Sequence, residues 1–178
     1  MRRIIVTQFL SLDGVMEHPV WSAPYWNDEV SGFKVEEDEM TDALLLGRVT
    51  YQEFAAAWPN SEDEGAPRIN SMPKYVVSNT LTSLEWNNSH LISGDVIAGI
   101  ERLRQQDGKD LLVYGSATLV QTLAKHDLID MYLLLIYPVV LGQGKRLFQP
   151  GTKATLHLTE ARALSSGVAA LVYERQRV

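Results

Sequence analysis

The sequence predicts one α/β domain, with a mostly parallel central sheet and antiparallel strands at its C-terminal end. Three observations predict it. Short apolar runs at 43–46 and 111–114 each stop at a glycine, Gly47 and Gly115, and a helical stretch follows at once. Strands and helices alternate through about residue 125, after which strands follow one another directly. The most apolar segment, 129–140 (IDMYLLLIYPVV), lies at that changeover and reads as a long central strand.

Each element has its own warrant. Residues 3–9 (RIIVTQF) are rich in β-branched side chains and read as a buried first strand, followed by the turn Ser11-Leu12-Asp13-Gly14. The stretch 17–27 holds two prolines with Trp21, Tyr25 and Trp26. It is no regular helix or central strand, and it is either a lid over a ligand or packing over one end of the core. Helical character runs from Asp28 to about Thr41, and the charge run Glu36-Glu37-Asp38-Glu39 within it reads as a solvated face. Strand 43–46 leads through Gly47-Arg48 into a helix at 50–55. Residues 60–71 read as a polar loop, 74–77 as a strand ending at Ser78-Asn79, and 86–92 as another. A helix at 95–106 has Val96, Ile97, Ile100 and Leu103 on one face, with Ser93 as its cap and Gly108 closing it. Strand 111–114 then turns at Gly115-Ser116 into a helix bearing Leu119, Val120 and Leu123 on one face. After 129–140 come the glycine-rich turn 141–145 and two alternating strands, 155–159 and 170–175.

Composition narrows the function. With 178 residues the chain suits one domain and a sizeable core. The absence of cysteine excludes disulfides, thiolate zinc sites and a cysteine nucleophile, and nothing asks for an oxidising compartment, so a cytoplasmic location is expected. No run approaches the ~18 apolar residues of a membrane span. A net charge of -6 disfavours non-specific nucleic-acid binding, so an anionic ligand would be held by local donors against the overall field. The four histidines show no paired spacing, no metal site is argued, and no Gly-x-Ser-x-Gly elbow supports a serine hydrolase.

In parallel sheets ligands bind beyond the carboxyl ends of strands. Four such ends carry small or polar groups: Gly47-Arg48, Ser78-Asn79, Gly115-Ser116 and the less regular 138–144. At Gly115-Ser116 a side-chain-free turn meets a helix N-terminus, which suits a phosphate or pyrophosphate. The plainer alternative is an ordinary turn with Ser116 as N-cap.

Taken together, five segments resemble the dihydrofolate reductase-like fold, and more closely the C-terminal reductase domain of bifunctional riboflavin-biosynthesis proteins and their stand-alone bacterial relatives. They are Ser11-Leu12-Asp13-Gly14, Leu45-Leu46-Gly47-Arg48-Val49-Thr50-Tyr51, Pro73-Lys74-Tyr75-Val76-Val77-Ser78, Leu112-Val113-Tyr114-Gly115-Ser116, and 138–148 (PVVLGQGKRLF). They stand in the family's order and cover nearly the whole chain. The resemblance implies a three-layer αβα domain that binds NADPH across the strand ends. Gly47, Arg48 and Thr50 would open the helix nearest the adenine-side phosphates, with Arg48 forking onto a 2′-phosphate; the alternative for Arg48 is a surface pairing with a carboxylate. Ser78 and Asn79 match residues that hold the adenosine ribose phosphate. Gly115, Ser116, Ala117 and Thr118 would lie along the pyrophosphate, and Gly142 belongs to the matching glycine-rich turn. Gly142-Gln143-Gly144 is not a Rossmann fingerprint, because no helix follows it. The chain has no room for the zinc deaminase domain of the bifunctional members, so a reductase module alone is expected.

The expected activity is NADPH-dependent reduction of a small pterin-like or ribosylaminopyrimidine-like substrate. Asp13 is the expected catalytic residue, recognising N–H groups of the heterocycle or acting as acid; an Asx-turn role is the alternative. True dihydrofolate reductases carry an acid on the first helix; Glu36, Glu37, Asp38 and Glu39 lie near there and the alignment singles out no one of them, which puts strict dihydrofolate reductase activity in doubt. The competing class is a nucleotide-binding protein on the same fold without catalysis, and a plainer one is an α/β protein whose glycine turns bind nothing. A homodimer is expected from the apolar content of 129–140 and from relatives.

Overall fold

The computed structural model describes residues 1–176. Eight strands form one sheet: β1 (Ile4–Leu10), β2 (Thr41–Gly47), β3 (Lys74–Val77), β4 (Ser89–Ile92), β5 (Asp110–Tyr114), β6 (Met131–Ile136), β7 (Leu156–Ala163) and β8 (Ala169–Arg175). Five α-helices connect them: α1 (Asp28–Met40), α2 (Arg48–Ala57), α3 (Ala66–Ser71), α4 (Val96–Arg104) and α5 (Ala117–Lys125). The order across the sheet is β4-β3-β2-β5-β1-β6-β8-β7. The first six run parallel, and β8 and β7 add antiparallel to β6. The central strands are near-continuously apolar because both faces are covered. Val30, Phe33, Tyr51 and Ile69 of α1–α3 pack on Ile5, Leu44, Leu46, Val76 and Leu112. Ile100, Leu103, Leu119, Val120 and Leu123 of α4 and α5 pack on Ile4, Val6, Leu45, Leu111 and Val113 on the opposite face. The three-layer αβα expectation is met.

Handedness sets the faces. The chain moves outward from β1 through β2 and β3 to β4, then returns through β5 to β6 on the other side of β1. Right-handed crossovers in opposite directions place α1–α3 on one face and α4–α5 on the other.

Several local expectations are corrected. The polar loop 60–71 contains α3, whose Pro67 occupies a first-turn position that needs no N–H donor; two buried side chains, Ala66 and Ile69, are too few to show as periodicity. Strand 86–92 shortens to β4, because Trp86 is tied elsewhere, its backbone N–H donating to Tyr51 Oη at 3.1 Å and its indole N–H to Asn70 Oδ1 at 2.8 Å. Helix α4 is capped by Asp95, whose carboxylate accepts from Ala98 N–H at 3.0 Å, not by Ser93, and it ends at Arg104, well before Gly108. Strand 129–140 shortens to β6, and β7 runs four residues past 159. Met131 to Leu135 are all buried, in a strand flanked by β1 and β8. The aromatic stretch forms a 3-10 helix, Pro19–Tyr25, with Pro24 inside it. Trp21 and Tyr25 meet the buried Tyr137 ring at 5.4 and 5.8 Å. Trp21, Tyr25 and Trp26 thus lie against rings at the ends of β1 and β6. Among the described residues no helix is long and apolar enough to cross a membrane.

Candidate functional site

Strands β2 and β5 are neighbours, yet the helices that follow them leave for opposite faces. That divergence is where open α/β sheets form a crevice. A three-way clasp closes its base. Gly47 N–H donates to Ser116 Oγ at 2.8 Å, Ser116 N–H to Thr50 Oγ1 at 3.0 Å, and the Ser116 hydroxyl to Thr50 Oγ1 at 2.9 Å. The clasp needs tight backbone. Gly115 and Ser116 both adopt left-handed conformations, φ 52° and 57°. A Cβ on Gly47 would lie 3.0 Å from Ser116 Oγ, and one on Gly115 would lie 3.2 Å from Thr50 Oγ1.

The clasp leaves the first turns of α2 and α5 side by side, and neither has a side-chain cap. Their leading amides, at Arg48 and Val49 and at Ala117 and Thr118, lack intrahelical partners and lie at the positive ends of two helix dipoles. The N–H groups of Gly47 and Ser116 are already used inside the clasp. Ser116 thus holds the N-cap position of α5 without capping it, because its hydroxyl serves the neighbouring turn. Arg48 lies exposed along α2, donating to Gln52 Oε1 at 3.0 Å; among the described residues it makes no ion pair with a carboxylate.

Ser78 and Asn79 follow β3 on the far side of β2. Ser78 Oγ accepts from the amides of Thr80 and Leu81, both at 3.1 Å. Asn79 Oδ1 accepts from Gly94 N–H at 2.8 Å. Both side chains shape the rim of the strand ends.

Asp13 and Gly142 lie across β1, at the loops after β1 and β6. The Asp13 carboxylate accepts from the Ser11 hydroxyl at 2.7 Å and from the amides of Leu141 and Gly142 at 3.1 and 2.8 Å. These bonds, the Ser11 one foremost, hold its pKa at about 2. A carboxylate so engaged is held toward its ionised form, and it clamps one loop to the other. Arg146 Nε donates to the Asp13 carbonyl at 3.0 Å, and a cavity of about 670 Å³ opens beside this clamp along Lys145, Phe148 and Gln149.

One group of residues escaped the sequence reading. Glu37 is not on a solvated face; it is wholly buried between α1 and the sheet. Its Oε1 accepts from Lys34 Nζ at 2.6 Å and from the Tyr114 hydroxyl at 2.6 Å. Burial first, and the Glu37 charge second, push the Tyr114 phenol well above its usual pKa. The signal was present: Val30, Phe33 and Glu37 recur at helical spacing, so Glu37 occupies a core-facing slot. Among the described residues no group of histidine and carboxylate side chains has the arrangement of a metal site.

With this geometry in hand, comparison with known proteins is informative. Residues 2–170 match the family of the RibD C-terminal domain. The chain belongs to that family. It is 31% identical to the uncharacterized protein YyaP of Bacillus subtilis (strain 168) over 185 residues, 97% of this chain and 94% of YyaP. A solved Shewanella sp. PV-4 protein assigned to riboflavin biosynthesis superposes with a TM-score of 0.76 at 22% identity, covering 98% of this chain and 99% of that one. A diaminohydroxyphosphoribosylaminopyrimidine deaminase/5-amino-6-(5-phosphoribosylamino)uracil reductase from Thermotoga maritima superposes with a TM-score of 0.69 at 13% identity. That match covers 98% of this chain and 57% of the Thermotoga protein. At these identities the two structures establish the shared dihydrofolate reductase-like fold.

Proposed function

We propose that this chain is an oxidoreductase that uses NADPH to reduce a small heterocyclic substrate of the pterin or ribosylaminopyrimidine kind. The observation that carries the reading is the pair of uncapped helix N-termini joined by the Thr50–Ser116 clasp at the β2–β5 divergence. Two converging sets of free amides, with glycines where side chains would intrude, fit the pyrophosphate of a dinucleotide. Ala117 and Thr118 supply amides to it, and Gly115 keeps the approach open. Gly47, Thr50 and Ser116 hold the clasp. Arg48, exposed on the first turn of α2 and paired with no described carboxylate, takes a 2′-phosphate in this reading, giving up its bond to Gln52. Ser78 and Asn79 form the rim for the adenosine end, and Gly142 is held by Asp13 on the opposite side. NADPH, when bound, supplies the hydride; the chain orients the reacting rings and excludes water.

Calorimetry with NADPH and NADH tests this. NADPH is expected to bind far more tightly than NADH, and Arg48→Ala to weaken NADPH by about 1.5–3 kcal/mol, the range of a hydrogen bond between charged groups, while leaving NADH nearly unchanged. Absence of binding by either nucleotide at about millimolar concentration, some 4 kcal/mol of affinity, rules the reading out. NADPH consumption with folate, pterin and ribosylaminopyrimidine compounds separates a reductase from a nucleotide-binding protein on the same fold.

A further inference from the structure

A second cavity, of about 700 Å³, lies outside the crevice. The face of α2 that carries Thr50 and Phe54 turns toward Ser116 and Tyr114. The neighbouring face, with Tyr51, Gln52, Ala55 and Ala56, lines this cavity instead, together with Leu81 and Trp86 from the segment between β3 and β4. A cavity of this size suits a small ring compound.

Its walls are pinned at a cost. Trp86 is buried, with its backbone N–H on Tyr51 Oη and its indole N–H on Asn70 Oδ1. Over the indole stands the Lys74 ammonium, 4.3 Å from the ring centre, donating to the carbonyls of Asn70 at 2.5 Å and Asn87 at 3.0 Å. Lys74 is wholly buried, and among the described residues it makes no ion pair. Burying an ammonium without a carboxylate is expensive, and here it ties α3 and the segment 81–87 to the base of β3.

The same features define an occupant. The fixed indole offers a flat stacking surface. Lys74 takes no part in the lining, so its charge stands behind the ring and repels a second cation stacked on the open face. Glu85 is the one charged residue lining the cavity among the described residues, and it repels an anion. An uncharged ring is left. Tyr51 is only 4% exposed; its oxygen accepts from Trp86, while its own proton has no acceptor among the described residues. The exposed Glu85 carboxylate pairs with no described cation. A buried hydroxyl proton and an open carboxylate call for one acceptor and one N–H donor, the pair that a lactam carries on one edge.

We propose that this cavity binds an uncharged planar lactam ring stacked on Trp86, its carbonyl accepting from the Tyr51 hydroxyl and its N–H donating to the Glu85 carboxylate. Lys74 is a positioning residue that holds the indole plane without touching the ligand. The site is separate from the β2–β5 crevice, and its occupancy does not depend on NADPH.

The test follows the indole N–H resonances of the intact, isotope-labelled chain, with that of Trp86 assigned from Trp86→Phe. The probes are 2-quinolone, a lactam; quinoline, which lacks the N–H; and two charged rings, quinaldate and N-methylquinolinium. 2-Quinolone is expected to shift the Trp86 resonance saturably and to bind about tenfold more tightly than quinoline, the effect of one hydrogen bond to a charged group. Both charged rings should bind more weakly than quinoline. Glu85→Ala should remove the preference for 2-quinolone over quinoline. Tyr51→Phe, which keeps the ring, should weaken 2-quinolone by about tenfold. Ala56→Phe, which fills the cavity from an exposed helix position, should abolish binding of both neutral rings. NADPH should displace neither. The proposal is overturned if 2-quinolone gives no saturable shift at about millimolar concentration, if the charged rings bind as well, or if Ala56→Phe binds as wild type does. A preference that survives in Glu85→Ala overturns it too, as does displacement by NADPH, which would make the cavity part of the cofactor groove.

Discussion

Asp13 shows how neighbouring donors hold a carboxylate in its charged form. Three donors converge on it, so ionisation is favoured and the folded-state pKa drops from 3.8 to about 2. The sign follows by linkage. Above its unfolded pKa the side chain is charged in both states and its bonds stabilise the fold. As pH falls from about 4 through about 2 the unfolded chain takes up the proton first, and that stabilisation is lost. Asp13→Asn should therefore melt at a lower temperature than wild type near neutral pH, and the gap should close as pH approaches about 2. Thermal melts across that acid range decide it; a gap independent of pH would mean that the charge has no part in the clamp. None of this was legible from Ser11-Leu12-Asp13-Gly14 alone. The turn told of a polar residue after β1, but two of the three donors, Leu141 and Gly142, arrive from the loop after β6.

At the scale of elements, the two strand–glycine–helix junctions were readable because a strand end, a glycine and an amphipathic helix are local patterns. Their union through Thr50 and Ser116 was not, since 66 residues separate the partners. Thr50 is buried, and Thr50→Val keeps its shape while removing the acceptor for both the amide and the hydroxyl of Ser116. The substitution is expected to cost about 1–3 kcal/mol in urea denaturation, the range for orphaning a buried donor. Combined with Ser116→Ala it should cost clearly less than the sum of the two, because each change breaks the same bonds. Strict additivity would show that the clasp does not act as a unit. The same division explains α1: its limits were legible, while the burial of Glu37 depended on Tyr114 arriving from β5.

For the molecule as a whole, the field opposes the ligand proposed for it. The net charge of -6 repels a dinucleotide, so binding falls to local amides and Arg48. A ligand bound by the folded state alone raises stability by mass action. At NADPH concentrations about a hundred times Kd the gain is about 2.7 kcal/mol. For a domain of this size that corresponds to a rise in melting temperature of roughly 5–10 °C. NADH at the same concentration should give a smaller rise, and added salt should weaken the NADPH effect, since part of it comes from an exposed arginine. A melting temperature unmoved by saturating NADPH would contradict the dinucleotide groove.

By itself the sequence determined the fold class, the order of the elements, the glycine turns at the strand ends and the family's segments. Each is written in short-range periodicity or in residues whose backbone freedom is their own. Only the tertiary structure decided which strand ends meet, that Asp13 is a clamp, that Met131 to Leu135 are buried within the sheet, and that Lys34, Glu37 and Tyr114 form one network. The reason is the strand order. β5 enters between β1 and β2, and its partners are set by long-range pairing that no local pattern records.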